Sequence, residues 1–551
     1  MADDGFDFRP GAQVPLQGGG GRTAATNALA SAAYRDDKVE TILEADNEYH
    51  ASEVKKGRLS IFAPNLGEAF SRAVEARMLG GGRKPLIQSF GADPRTVVEH
   101  SLSASRIRRE RDRRLRWITV LCGVLFLPGL LLWLVLFQLR RTLTSEGRKH
   151  GSWAGTALLV GVGILAAVAM FRLPVDGFWG IYLRAMLIAP AVGWFLARRL
   201  CERTAVDLRA HWDGLLGGGA VTAKVPDAVP GNPNEKAREE LRQQLARLTA
   251  EDDSNAVFYA GPKGVLGMGS RWGSWQMAED LVPAKEGGEI HPFRSWDVIR
   301  VIHDQLRMID RGPLHTGGFP APSIRHWVVS PIGEGAKEVT RPSGDSVDQF
   351  VIKPHEVTRI CNEQQFSAGD RHYLGIQWPL WDGQLVITMM VTVTVLYQTL
   401  RVEVTGHSLG PVHGLFTTKP KAKTVDVPKT VKFWQTVERT LPVCDTEEVV
   451  RLMVRAPLTW YPPLLEYLGG KLVLPEPFGV RHVWAGSMWR HRFMADDAMR
   501  TATPVLRVVH AAAMKVLEEN GCDTERFATR SMIVNGFAQD PSPRKADVHD
   551  G

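Results

Sequence analysis

The chain has 551 residues, a formal charge of +7 and a hydrophobic fraction of 44%. That length excludes one small domain and points to two to four folded units. Its five cysteines, with no CxxC pair, exclude a disulfide-stapled scaffold and a zinc-finger pattern. No basic stretch followed by an apolar run opens the chain, so no cleavable signal is expected. Seven arginines between Arg106 and Arg116 account for much of the positive excess, so the charge does not call for a specific nucleic-acid partner.

In chain order, residues 1–105 read as a largely disordered, cytoplasmic N-terminal arm carrying short amphipathic helices. Met1–Gly21 is rich in Gly, Pro and Asp and should not fold by itself. Residues 65–79 place Leu66, Phe70, Val74 and Met78 four apart, on one helix face, before the glycine run 80–82. An isolated helix cannot bury such a stripe. The stripe is therefore expected either to dock on the C-terminal part or to be offered to another protein, and the glycine flank favours the partner. The block that follows, with Arg108, Arg109, Arg113 and Arg116, abuts an apolar run. It is expected to form a collar for anionic lipid headgroups.

Residues 106–200 read as a membrane region, with uncharged or nearly uncharged runs at 117–139, 153–171 and 178–197, the last interrupted by Arg184. Three full crossings divide the flanking Arg and Lys evenly between the two sides. A turn at Pro128-Gly129 that lets the first run dip in and return puts all but Arg172 on one side, which the positive-inside rule favours. Two, three or re-entrant crossings stay open at this point. Arg184 is expected to snorkel towards an interface.

Residues 201–252 supply a continuation of the last helix, a Pro/Gly linker and a charged helix with Leu241, Leu245 and Leu248 on one face. Residues 253–538 are expected to form an α+β domain with an antiparallel sheet, and 539–551 a disordered tail. Within the domain, 295–309 reads as a serine-capped helix. A hairpin is expected from 373 to 404 around the turn Trp381-Asp382-Gly383. Helices are expected at 431–439, 446–455 and 496–520, the last stopped by Gly521. The fold class is thus a multi-pass α-helical membrane anchor plus this domain.

One local word suggests chemistry. The stretch RVEVTGHSLG, 401–410, ends in Gly-x-Ser-x-Gly after a strand and resembles the nucleophile elbow of lipases and other α/β-hydrolases. The resemblance spans about ten residues, and implies Ser408 as nucleophile, Asp445 with His482 or His510 as partners, and the His315–Gly318 loop for the oxyanion. The residues after Gly410 lack the helical period that an elbow needs. The glycine-rich stretch 261–275 is neither a Walker loop nor GxGxxG, and reads as a turn between strands. His482 and His491 flank Trp484 and Trp489, a composition enriched at protein interfaces. No metal or cofactor is expected. The reading at this level is a non-enzymatic integral scaffold or receptor of the cell membrane. Both soluble parts would be cytoplasmic and would recruit a protein partner, and self-association is open. A membrane-bound serine hydrolase and a transporter or channel accessory subunit are the alternatives.

Overall fold

The computed structural model describes residues 23–46, 52–80, 85–129, 161–165, 177–218, 235–261, 264–309, 321–332, 350–363, 369–422, 424–428 and 436–529, with single positions at 131, 133, 135, 168 and 172. Residues 1–22 and 530–551, and with them the expected disorder at both ends, lie outside the described residues.

The C-terminal part is built on a six-stranded sheet. In chain order its strands are β2 (Ala256–Tyr259), β3 (Ser270–Asp280), β4 (Ser323–Pro331), β5 (Arg371–Leu380), β6 (Leu385–Leu396) and β7 (Thr399–Leu409). In space they run β2-β4-β5-β6-β7-β3, with β2 and β4 parallel and every other pair antiparallel. Alternation sets the two faces. Leu374, Ile376, Met389, Val391, Val402 and Val404 point into one core. They meet two helices: α6 (Ser295–Ile309), through Val298, Ile299, Ile302 and Leu306, and α11 (Arg492–Glu519), through Val505, Val509 and Ala512. Gly521, at φ +75°, ends α11 as expected. The mixed α/β domain with its sheet is therefore as anticipated.

Two local expectations differ. The returning strand of the hairpin is two strands, because the chain reverses again at Tyr397 and Gln398 with φ of 47° and 62°. Neither residue is a turn former that favours positive φ, so no Gly or Asn marks the reversal. The helix expected at 431–439 is a strand where it is described. Thr436–Thr440 (β9) pairs with Thr424–Pro428 (β8), which suits its β-branched residues.

The arm is not an arm within its described part. Helices α1 (Ala24–Ser31), α2 (Leu66–Leu79) and α3 (Pro94–Cys122) share one core with the distal half of α4 (Phe178–Leu216) and with α5 (Lys236–Asp252). The C-terminal segment 472–484 completes that core. A two-stranded ribbon, β1 (Glu53–Lys56) on β10 (Gly470–Val473), ties the two ends of the chain together. Leu66, Phe70, Val74 and Met78 are all buried, and the Phe70 ring lies 5.2 Å from that of Trp484. Part of their cover, Trp484, comes from the far end of the chain, where no helical period could announce it. A buried ion pair locks the same contact. Arg455, at the end of α9 (Thr446–Arg455), makes a two-pronged salt bridge to Glu68 on α2. Burial alone would raise the Glu68 carboxyl; Arg455 and Arg72 outweigh it and hold Glu68 well below the usual range.

The multi-pass membrane anchor is overturned. Among the described residues one helix, Gly180–Leu216, is long and apolar enough to cross a bilayer, and by length and composition only. The first run is not one helix, because α3 stops at Cys122, Gly123 caps it, and a 3-10 turn follows at Val124–Phe126. Most of 153–171 lies outside the described residues. An integral membrane protein with several transmembrane helices is therefore not what the structure carries. The re-entrant turn fails as well: Pro128 and Gly129 sit in helical backbone. Gly129 is needed for close approach, since a β-carbon there would fall 1.8 Å from the Met186 carbonyl oxygen.

Candidate functional site

Helices α3 and α4 pack antiparallel, and glycines set their register. Gly193 lies against Cys122, Gly129 against Met186, and the Tyr182 hydroxyl donates to the Leu125 carbonyl at 2.9 Å. A helix rises about 1.5 Å per residue, so residues six before Cys122 stand level with residues six beyond Gly193. Arg116 therefore stands level with Arg199. Arg113, Arg114 and Arg116 on α3 and Arg198, Arg199 and Arg203 on α4 form one belt around the pair.

The two sides of this belt differ. On one side Leu115, Ala197 and Cys201 pack with Val449, Leu452 and Ala456 around α9. On the other, apolar side chains face outward: Leu121, Leu125 (55% exposed), Leu127, Ile181 (68%), Val192 and Phe195 (61%). Arg184 is half-buried among them. The body adds exposed aromatic residues. The Thr119 hydroxyl donates to the Met453 carbonyl at 3.3 Å, and a few residues on Trp460 and Tyr461 are exposed, as is Tyr467 on α10 (Pro462–Gly469). Contiguous exposed apolar surface of this kind marks an interaction site.

The expected collar is divided by this geometry. Arg113 is exposed and Arg116 half-buried at the belt. Arg109 is exposed and paired with Glu75 at 3.3 Å. Arg108 is buried and donates to the carbonyls of Ala33 at 2.7 Å and Gly67 at 3.2 Å, so it holds the core together. Reading the arginines as one block missed Arg198, Arg199 and Arg203, which only antiparallel pairing brings alongside. The partner-facing tryptophans are turned inward too. Trp484 is fully buried among Phe70, Phe416 and Phe478, and Trp489 packs with Leu385, Ile387 and Met494.

Ser408 does not stand on an elbow. It is 1% exposed, inside β7, paired with Ile387 of β6 on one side and Ser270 of β3 on the other. Its hydroxyl has no hydrogen-bond partner among the described residues, so no base stands at its oxygen. The strand runs on to Leu409, and the next helix, α8 (Gly414–Thr417), is only one turn. Asp445 occupies the N-cap position of α9, and His510 lies within α11. The His315–Gly318 loop lies outside the described residues. His482 is buried, and the His491 ring at the start of α11 lies tilted against Trp381 with centroids 6.1 Å apart.

Spacing gave no hint of a histidine stack between α6 and the sheet. His326 Nδ1 and His372 Nε2 are 3.0 Å apart, and the His303 ring lies 4.9 Å from that of His326. Trp296 closes over both strand histidines. Burial, then the neighbouring ring, pushes His326 down to about 4 and His372 down to about 3. The rings are neutral near pH 7, and among the described residues no group of three or more His, Cys, Asp or Glu is placed to hold a metal. A cleft of about 550 Å³ lies between the 36–40 segment, the β1–β10 ribbon and α9. Lys55, Lys56 and Lys471 there meet Asp36, Glu40 and Glu448, so it selects neither sign of charge.

Residues 274–540 match the AbeC-like domain family. The similar segment begins inside β3, covers just under half of the chain and leaves out the helix pair and the α1–α3 core. No curated protein and no solved structure matches the chain.

Proposed function

We propose that this protein is a non-enzymatic scaffold that holds its α/β body at an anionic bilayer surface. The attachment is the apolar end of the α3–α4 pair, and no set of crossings is required. One observation carries the reading: outward-facing Leu121, Leu125, Ile181 and Phe195 begin where a belt of arginines from both helices ends. Arginines near an anionic lipid surface contribute about 1 kcal/mol each, and apolar area moved out of water adds about 25 cal/mol per Å². Exposed Trp460 and Tyr461, a few residues beyond the Thr119–Met453 contact, suit the headgroup layer, where amphipathic rings are favoured. The non-enzymatic part rests on the burial of Ser408 and on the absence of a base at its oxygen among the described residues.

Flotation with vesicles tests this. The full chain should rise with vesicles containing anionic lipid and rise less with neutral ones or at high salt. A Leu121→Ser/Leu125→Ser/Phe195→Ser variant should keep its fold and stay below. Wild-type protein that stays below with both vesicle types would end the reading. Labelling of Ser408 by a fluorophosphonate would end its non-enzymatic part.

A further inference from the structure

Two cysteines 243 positions apart meet beneath the arginine belt. Cys201 lies on α4, and Cys444 directly precedes Asp445, the N-cap residue of α9. Both are buried in the cluster of Leu115, Ala197, Val449 and Leu452. The Glu202 carboxylate accepts the backbone N–H of Val443 at 2.9 Å and of Cys444 at 3.0 Å. That clamp fastens the 443–444 backbone to α4 one residue beyond Cys201, and it places both thiols in one apolar cluster. A disulfide needs sulfurs about 2 Å apart and β-carbons about 3.5–4.5 Å apart. Side chains anchored on neighbouring backbone within one cluster close to this by rotation and a small approach.

The pair is chemically unequal. The neighbouring Cys444, assisted by the Arg111 guanidinium, holds the Cys201 thiol below its ordinary range. Cys444 is raised by Cys201 in turn and by burial. Burial pushes Cys361 up to about 12 and raises Cys522, which leaves both poor nucleophiles.

We propose that Cys201 and Cys444 are a redox-active pair that a peroxide converts to an intramolecular disulfide. The Cys201 thiolate attacks one peroxide oxygen and the O–O bond breaks. Cys201 becomes a sulfenic acid, and the departing hydroxide takes the proton that Cys201 had lost, leaving as water. The Cys444 sulfur then attacks the sulfenic sulfur. The S–S bond forms, the S–O bond breaks, and a second water leaves with the Cys444 proton. Two sulfurs are oxidised by two electrons in all, and one hydrogen peroxide is reduced to two waters. Cys201 is 1% exposed and Cys444 6%, so the oxidant has to be as small as peroxide, which is close to water in size. The product ties α9, and with it the body, to the helix pair.

The test uses the full reduced chain treated with hydrogen peroxide, alkylated under denaturing conditions and mapped by mass spectrometry. The expected result is a loss of two hydrogens, a cross-linked peptide joining Cys201 to Cys444, and full alkylation of Cys122, Cys361 and Cys522. Cys444→Ala should leave Cys201 as a sulfenic acid that dimedone captures, and a reducing thiol should restore the wild-type mass. Five alkylated thiols after peroxide, a cross-link through Cys122, or dimedone on Cys361 in place of Cys201 would each overturn the proposal. The wild-type map decides even if the variant misfolds.

Discussion

The stripe on α2 and the outer face of the α3–α4 pair are both made of Leu, Val, Ile and Phe on helices, yet Phe70 is fully buried and Phe195 is 61% exposed. The difference lies in what the rest of the chain brings to each. Phe70 meets Trp484, which folds back across the length of the protein, and Glu68 two residues before it is locked by Arg455. No described residue closes over the outer side of Phe195, which stays 61% exposed. Amphipathic period tells a helix and its apolar side; whether that side becomes core or contact surface depends on partners remote in sequence.

The contrast can be broken by substitution. Phe70→Ala should cost about 3–5 kcal/mol by cavity formation, whereas Phe195→Ala, at an exposed site, should stay within about 0.5 kcal/mol. Urea unfolding of the two variants reads the difference, and equal losses would erase the distinction. Glu68→Gln should cost a similar amount, about 3–5 kcal/mol, because Arg455 is left buried without its charge partner.

The arginines offer a second, smaller contrast. Arg113→Gln/Arg114→Gln/Arg116→Gln should weaken binding to anionic vesicles by about 1 kcal/mol per residue with little change in stability. Arg108→Gln should do the reverse, lowering stability by about 1–3 kcal/mol as the Ala33 and Gly67 carbonyls lose their donor. Vesicle titration together with denaturation separates the two. A triple variant that binds like wild type would remove the belt from the account.

A pH-dependent effect is confined to the α/β body. Folding holds His326 and His372 below their ordinary pKa of 6.5, at about 4 and about 3. Below 6.5 the unfolded chain therefore takes up protons that the folded one refuses. Stability from these groups is full above 6.5, falls as pH drops through that value, and levels off near the folded values. His372→Gln should flatten the decline in unfolding free energy across that window. An unchanged slope would mean that the stack is not what titrates.

Much of the body was legible. The Ser295 helix, the Asp382-Gly383 turn and the Gly521 stop follow from local signals, and all three are present. The turn at Tyr397-Gln398 was not, because its positive φ is imposed by flanking strands rather than by residue type. The word around Ser408 was legible, but strand pairing on both sides, a non-local fact, put the serine inside the sheet. His303, His326 and His372 come from one helix and two strands, so no spacing links them. The apolar runs were visible, yet composition did not show that the first one breaks at Gly123 or that Gly129 and Gly193 would pair the helices.

The most direct measurement is hydrogen–deuterium exchange of the full chain with and without anionic vesicles. The account predicts slower exchange with lipid in peptides covering 117–129 and 181–197, and no change across α2 and the sheet. Unchanged exchange in those two segments, or protection centred on α2, would contradict it.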